Sequence, residues 1–194
     1  MLETIKKIIS DKYGNLTIES INKAGSQLIT TQPNDFDFRV VVSEDIKMKN
    51  LYDVNTKINL FIYSKKEFQS MCELDAPINT NWYIFIVDQL FRKYSDNNLY
   101  GSNDTVLKIL EKPEKYKQIV EEKVRIYTRT NTSLVERGIC HKHLWWIILP
   151  LMMIENNSLE ITNEMREIAL KCHNMQLDRS WNDWVKEKIN IKNN

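Results

Sequence analysis

Glycine and proline are scarce in this chain, four of each among 194 residues, and cysteine is scarcer still at three. So few backbone breakers exclude a Gly/Pro-rich linker protein and point to a helix-rich fold with short connections. Cys72, Cys140 and Cys172 are odd in number and lack CxxC spacing. That argues against a disulfide framework and for a reducing, cytoplasmic setting. Charge of one sign is also missing. With 27 basic and 26 acidic residues the formal net charge is +1, so bulk electrostatics favours neither nucleic acid nor a membrane surface. The longest apolar run, Leu144 to Ile154, is interrupted by Pro150 and is too short to span a bilayer. Met1 to Lys7 reads as the start of an amphipathic helix, without the apolar stretch of a signal peptide. We therefore expect no membrane association.

The pattern of apolar residues divides the chain in two. Leu2, Ile5, Ile8 and Ile9 recur at helical spacing, and Gly14 is a natural stop. Asn15 to Ile21 alternates as a strand, Asp35 to Val42 is a second strand, and Ile58 to Tyr63, nearly continuous and β-rich, reads as a central third. Ser64-Lys65-Lys66-Glu67 fits a capping box that opens a helix. After Pro77 only helical periodicities are expected. They run over Trp82–Tyr94, a break at 97–102, a helix through Leu110, and a mixed-charge helix over Glu114–Arg129. Beyond these come a helical hairpin, Leu134–Ile154 and Ile161–Met175, and a short helix marked by Trp181 and Trp184. Strands first and helices later predicts an α+β fold, a small mixed sheet followed by a helical bundle.

Chemistry concentrates before the second strand. Gly25-Ser26 ends the first strand region, and after eight residues comes Asp35-Phe36-Asp37-Phe38. Carboxylates at i and i+2 of a strand point to one face, where they can share Mg²⁺ ions that neutralise phosphate charge. Glycine lets the backbone approach a phosphate, and serine adds a hydroxyl donor.

This stretch resembles the signature of the DNA polymerase beta nucleotidyltransferase superfamily: helix, strand, Gly-Ser, spacer, a strand opening Asp-x-Asp, and a third strand bearing another acid. The helical half, His141-Lys142-His143 ahead of an apolar helix above all, is similar to predicted bacterial and phage nucleotidyltransferases related to an RNA-repair polymerase-like family. The resemblance implies a nucleotidyltransferase core over 1–76 and a helical region over 77–194 packed on it. It also implies metal-dependent transfer of a nucleoside monophosphate from an NTP, with ATP the expected donor, to a hydroxyl of an RNA end, a small molecule or a protein side chain. Asp35 and Asp37 would be the catalytic residues and Mg²⁺ ligands, and Gly25 and Ser26 the nucleotide-binding ones. Asn59 stands where the third acid is expected. An asparagine can coordinate weakly through its carbonyl but cannot act as a base. Three readings follow: another acid such as Asp53 fills the role, two carboxylates suffice, or catalysis is weak or lost, as in a nucleotide- or partner-binding module.

Other residue sets carry blander readings. Cys140, His141, His143, Cys172 and His173 lack the paired spacing of zinc sites, so buried cysteines and hydrogen-bonded histidines are expected, with His143 a minor candidate for phosphate or base. Arg137 and His143 have a spacing similar to the motif of HEPN-type RNases, but Gly138 replaces its polar residue. Trp145, Trp146, Leu149, Met152 and Met153 read as core. Lys108, Lys112 and Arg125 read as a solvated face from which one or two could meet a triphosphate.

Overall fold

The computed structural model describes residues 1–72, 98–101, 144–158 and 160–190. They belong to two compact units, the first holding 1–72 and 98–101, the second the residues from 144 onward.

In the first unit, helix α1 (Leu2–Tyr13) buries Ile5 and Ile9 and leaves its charged residues to solvent. It stops at Gly14, whose φ of 76° lets its N–H close onto Ser10 O at 2.9 Å. Strands β1 (Ile18–Ala24), β2 (Phe36–Val42), β3 (Lys49–Asp53), β4 (Ile58–Ser64) and β5 (Asn98–Tyr100) form one mixed sheet in the order β3-β4-β2-β1-β5. β2 lies parallel to β4, while the β1–β2, β1–β5 and β3–β4 pairs are antiparallel.

Register sorts the side chains. Phe36, Phe38 and Val40 of β2 pair with Ile58, Leu60 and Ile62 of β4, Val40 also pairs with Ile21 of β1, and this face, with Val42, packs against Ile5 and Ile9 of α1. Burying each such side chain contributes roughly 1.5–3 kcal/mol. The opposite face carries Asp37, Arg39 and Val41, beside Asn59, Phe61 and Tyr63. Helix α2 (Lys65–Cys72) turns back over the C-terminal end of that face. Its start is capped by Ser64, whose Oγ accepts from Glu67 N at 3.2 Å, as the capping box predicts. The Phe68 ring meets Tyr63 edge-on at 5.9 Å. Arg39, only 3% exposed, donates from Nη1 to Tyr63 Oη at 2.7 Å and lies over the Phe61 ring.

Two strands depart from the sequence expectation. β3 was not foreseen, because an outer strand with mostly solvated residues shows no apolar alternation. β5 corrects the expectation that strands end at Pro77: it falls in the stretch read as a break and pairs with β1 through Ile21↔Tyr100 and Asn22↔Asn98. A three-residue strand with one apolar residue packed on the core, Leu99, carries no readable period.

The second unit contains three described helices. α3 (Trp145–Glu155) buries Trp145, Ile148, Leu149, Leu151, Met152 and Met153, so the expectation of core is met for Trp145, Leu149, Met152 and Met153. It continues through Pro150, which removes one helical hydrogen bond without ending the helix. Asn157, with φ 50°, turns the chain. α4 (Asn163–His173) is capped by Thr162, whose Oγ1 accepts from Met165 N at 3.2 Å, and buries Met165, Ile168, Ala169 and Cys172. α5 (Ser180–Asn190) places Trp181 edge-on to Trp184 at 5.3 Å. α3 packs against both α4 and α5, and Lys188 of α5 pairs with Glu155 of α3. The helices expected between Trp82 and Arg129 lie outside the described residues, as does the stretch 134–143. Among the described residues no helix is long and apolar enough to cross a membrane.

Candidate functional site

The site grows out of the β1–β2 hairpin. β1 ends at Ala24, paired with Asp37, and the chain turns at once through Gly25 into a single 3-10 turn, Gly25–Leu28. Gly25 has φ 61°, in the left-handed region that favours glycine. Space requires it as well: a Cβ there would stand 2.2 Å from Asp37 Oδ2. The turn is tied down from two sides. Ser26 O accepts from the N–H groups of Ile29 and Thr30, each at 3.0 Å, and the Gln27 side-chain amide donates to the Asp37 carbonyl.

Asp37 is therefore the centre of the cluster. Its Oδ2 faces Gly25, and its Oδ1 accepts from Asn59 Nδ2 at 2.8 Å across the parallel β2–β4 pair. Asn59 Oδ1 is buried and has no hydrogen-bond partner among the described residues. Ser26 and Asp35 are partly exposed. Asp35 was expected inside the strand. It lies one residue before it, because pairing with β4 begins at Phe36 N, which donates to Lys57 O at 2.8 Å. Gly25, Ser26 and Asp37 are thus brought together, with Asp35 two residues upstream.

Asp53 does not fill the third position. It pairs with Ile58, one residue out of phase with Asn59, and so belongs to the face opposite Asp37. Its Oδ2 instead accepts from Thr56 N at 3.0 Å and from Thr56 Oγ1, closing the β3–β4 turn. The Thr56 side-chain hydrogen bond holds its carboxyl below the usual carboxylate range. Among the described residues no group of three or more His, Cys, Asp and Glu gathers into a metal site. Cys172 is buried, as expected for a structural cysteine, and His173 is partly exposed. Cys140, His141, His143, Arg137, Lys108, Lys112 and Arg125 lie outside the described residues.

Sequence reasoning missed Gln27, Arg39, Tyr63 and Tyr52. Gln27 and Arg39 carried no motif. Tyr52 enters only through register: Ala24, Asp37, Asn59 and Tyr52 are successive partners across four strands and share a face. No protein-family profile and no curated protein matches the chain.

The donor set suits a hard cation. A carboxylate at Asp37, a second at Asp35 and a buried amide oxygen at Asn59 lacking a donor among the described residues are all oxygen ligands, which Mg²⁺ takes in small number beside substrate phosphates.

Proposed function

We propose that this protein is a nucleotidyltransferase, built as a nucleotidyltransferase core followed by a C-terminal helical bundle and working in the cytoplasm. It transfers a nucleoside monophosphate from a nucleoside triphosphate, ATP being the expected donor, to a hydroxyl acceptor. The observation that carries the reading is the Gly25-Ser26 turn seated directly on the Asp37 carboxylate at the end of a strand hairpin. Glycine lets the turn close directly on that carboxylate, and the partly exposed Ser26 supplies a hydroxyl donor for phosphate oxygens.

Asp35 and Asp37 would hold Mg²⁺, with the Asn59 amide oxygen beside them. Bound there, the ion supplies charge neutralisation of the phosphates and lowers the pKa of the acceptor hydroxyl. In the reaction the acceptor oxygen bonds to the α-phosphorus and the bond to the β-phosphate bridging oxygen breaks, releasing pyrophosphate. Asn59 cannot take the hydroxyl proton, so that proton leaves to solvent or to phosphate. What the chain contributes is positioning: Gln27 and Asn59 fix Asp37, and Gly25 fixes the cradle against it.

Incubation with labelled nucleoside triphosphates and total RNA, protein and small metabolites tests the activity and identifies the acceptor. Label is expected on one class, and Asp35→Ala with Asp37→Ala should abolish it; transfer unchanged in that double variant would show that the site is elsewhere.

A second reading, nucleotide binding without turnover, is favoured by one observation. The Asn59 amide already occupies an oxygen of Asp37, and Asp53 is turned to the other face. Asn59→Asp separates the two. A degenerate enzyme gains transfer when the acid is restored, whereas a working one is unchanged or slower.

A further inference from the structure

We infer that Tyr52 is the platform on which the nucleobase of the bound nucleotide stacks. The inference rests on the reading of the Gly25–Asp37 turn as a triphosphate site and adds to it the contact that distinguishes a nucleotide from a bare polyphosphate.

Three observations converge on this ring. Tyr52 is the direct partner of Asn59, which is the direct partner of Asp37, so all three side chains stand in one row on one face of the sheet. Strands lie about 4.8 Å apart, which puts Tyr52 about 10 Å from Asp37 along that row. A nucleotide whose phosphates sit on Gly25-Ser26 can follow the row across Asn59, with ribose and base directed toward β3. The second observation is exposure. Tyr52 is 53% exposed, whereas Tyr63, on the same face of the neighbouring strand, is fully buried against Phe68. The third is position: β3 is the outermost strand of the described sheet, so among the described residues no further strand flanks the row on that side. Asn50, two residues before the ring on the same strand and exposed, is a polar amide that can meet ribose hydroxyls or base edges.

Stacking on an aromatic side chain is sequence-tolerant, and its loss weakens binding by about 5- to 100-fold. Calorimetric titration of the full chain in Mg²⁺ with ATP and, separately, with inorganic tripolyphosphate tests the assignment. The wild type should bind ATP more tightly than tripolyphosphate. Tyr52→Ala should lose about 5- to 100-fold in ATP affinity while its tripolyphosphate affinity stays within about twofold, and Tyr52→Phe, which keeps the ring, should bind ATP like the wild type. Equal ATP affinity in wild type and Tyr52→Ala overturns the inference, as does an equal loss for both ligands. If the wild type binds tripolyphosphate and ATP equally, the phosphate site stands and the base platform falls. If it binds neither, the triphosphate reading fails, and the platform fails with it.

Discussion

Replacing Gly25 by alanine is the most direct perturbation of the candidate site, and its effect can be worked from distances. An L-residue held at φ 61° costs about 1–2 kcal/mol in backbone energy. The added Cβ would lie 2.2 Å from Asp37 Oδ2, 3.1 Å from its Cγ and 3.3 Å from its Cβ. The carboxylate must therefore retreat by about 1 Å to restore van der Waals contact. In retreating it gives up the 2.8 Å hydrogen bond from Asn59, and a bond to a charged acceptor contributes about 1.5–3 kcal/mol. Gly25→Ala should thus destabilise the first unit by about 2.5–5 kcal/mol. A double-mutant cycle separates the two parts. With Asp37→Ala in the background the nearest obstacle is a Cβ at 3.3 Å, so Gly25→Ala should then cost only the backbone part, leaving about 1.5–3 kcal/mol of coupling. Gly14→Ala is the clash-free control: φ 76° with ψ −160° is a region essentially confined to glycine, but a Cβ there would meet nothing within 4 Å, and about 1–3 kcal/mol is expected. Urea unfolding followed by far-ultraviolet circular dichroism, with unchanged slopes, provides the readout. Equal costs for Gly25→Ala in both backgrounds would refute the packing of Gly25 on the Asp37 carboxylate.

Two further expectations concern the same sheet. Tyr63→Phe removes the acceptor of the 2.7 Å bond from buried Arg39 and should lower unfolding free energy by about 1.5–3 kcal/mol in the same assay; a loss below about 0.5 kcal/mol would show that the bond is dispensable. Burial raises the Glu67 carboxyl above its ordinary value, against a smaller opposing effect from a backbone hydrogen bond to Met48. Across the interval between the ordinary and raised values the native state binds more protons than the unfolded one, so stability falls as pH rises through it. Thermal melts at a series of pH values should show that decline weakened in Glu67→Gln, and an identical decline in both proteins would assign it to another group.

What could be read from the sequence, and what could not, follows from the range of the forces involved. Local patterns announced themselves. The Ile5/Ile9 stripe and the Gly14 stop defined α1, Ser64 and Glu67 opened α2, and the apolar runs of 36–42 and 58–64 marked β2 and β4, two of the three interior strands, because each of these signals lies within one or two turns of chain. Gly25-Ser26 and Asp37 stood out as candidate residues for the same reason, and the fold brings them together. β3 and β5 were not legible: both are outer strands, and their stability comes from hydrogen bonds to partners already in place rather than from an apolar alternation of their own. The site was decided by tertiary structure in three places. Parallel pairing of β2 with β4 set the Asn59 amide on Asp37, although 22 residues separate them. A single step of β-strand alternation placed Asp53 on the far face, where composition alone would have allowed it to serve as the third acid. The same register set Tyr52 in line with Asp37, since which residue faces which across a sheet depends on pairing, and pairing is a property of the folded chain.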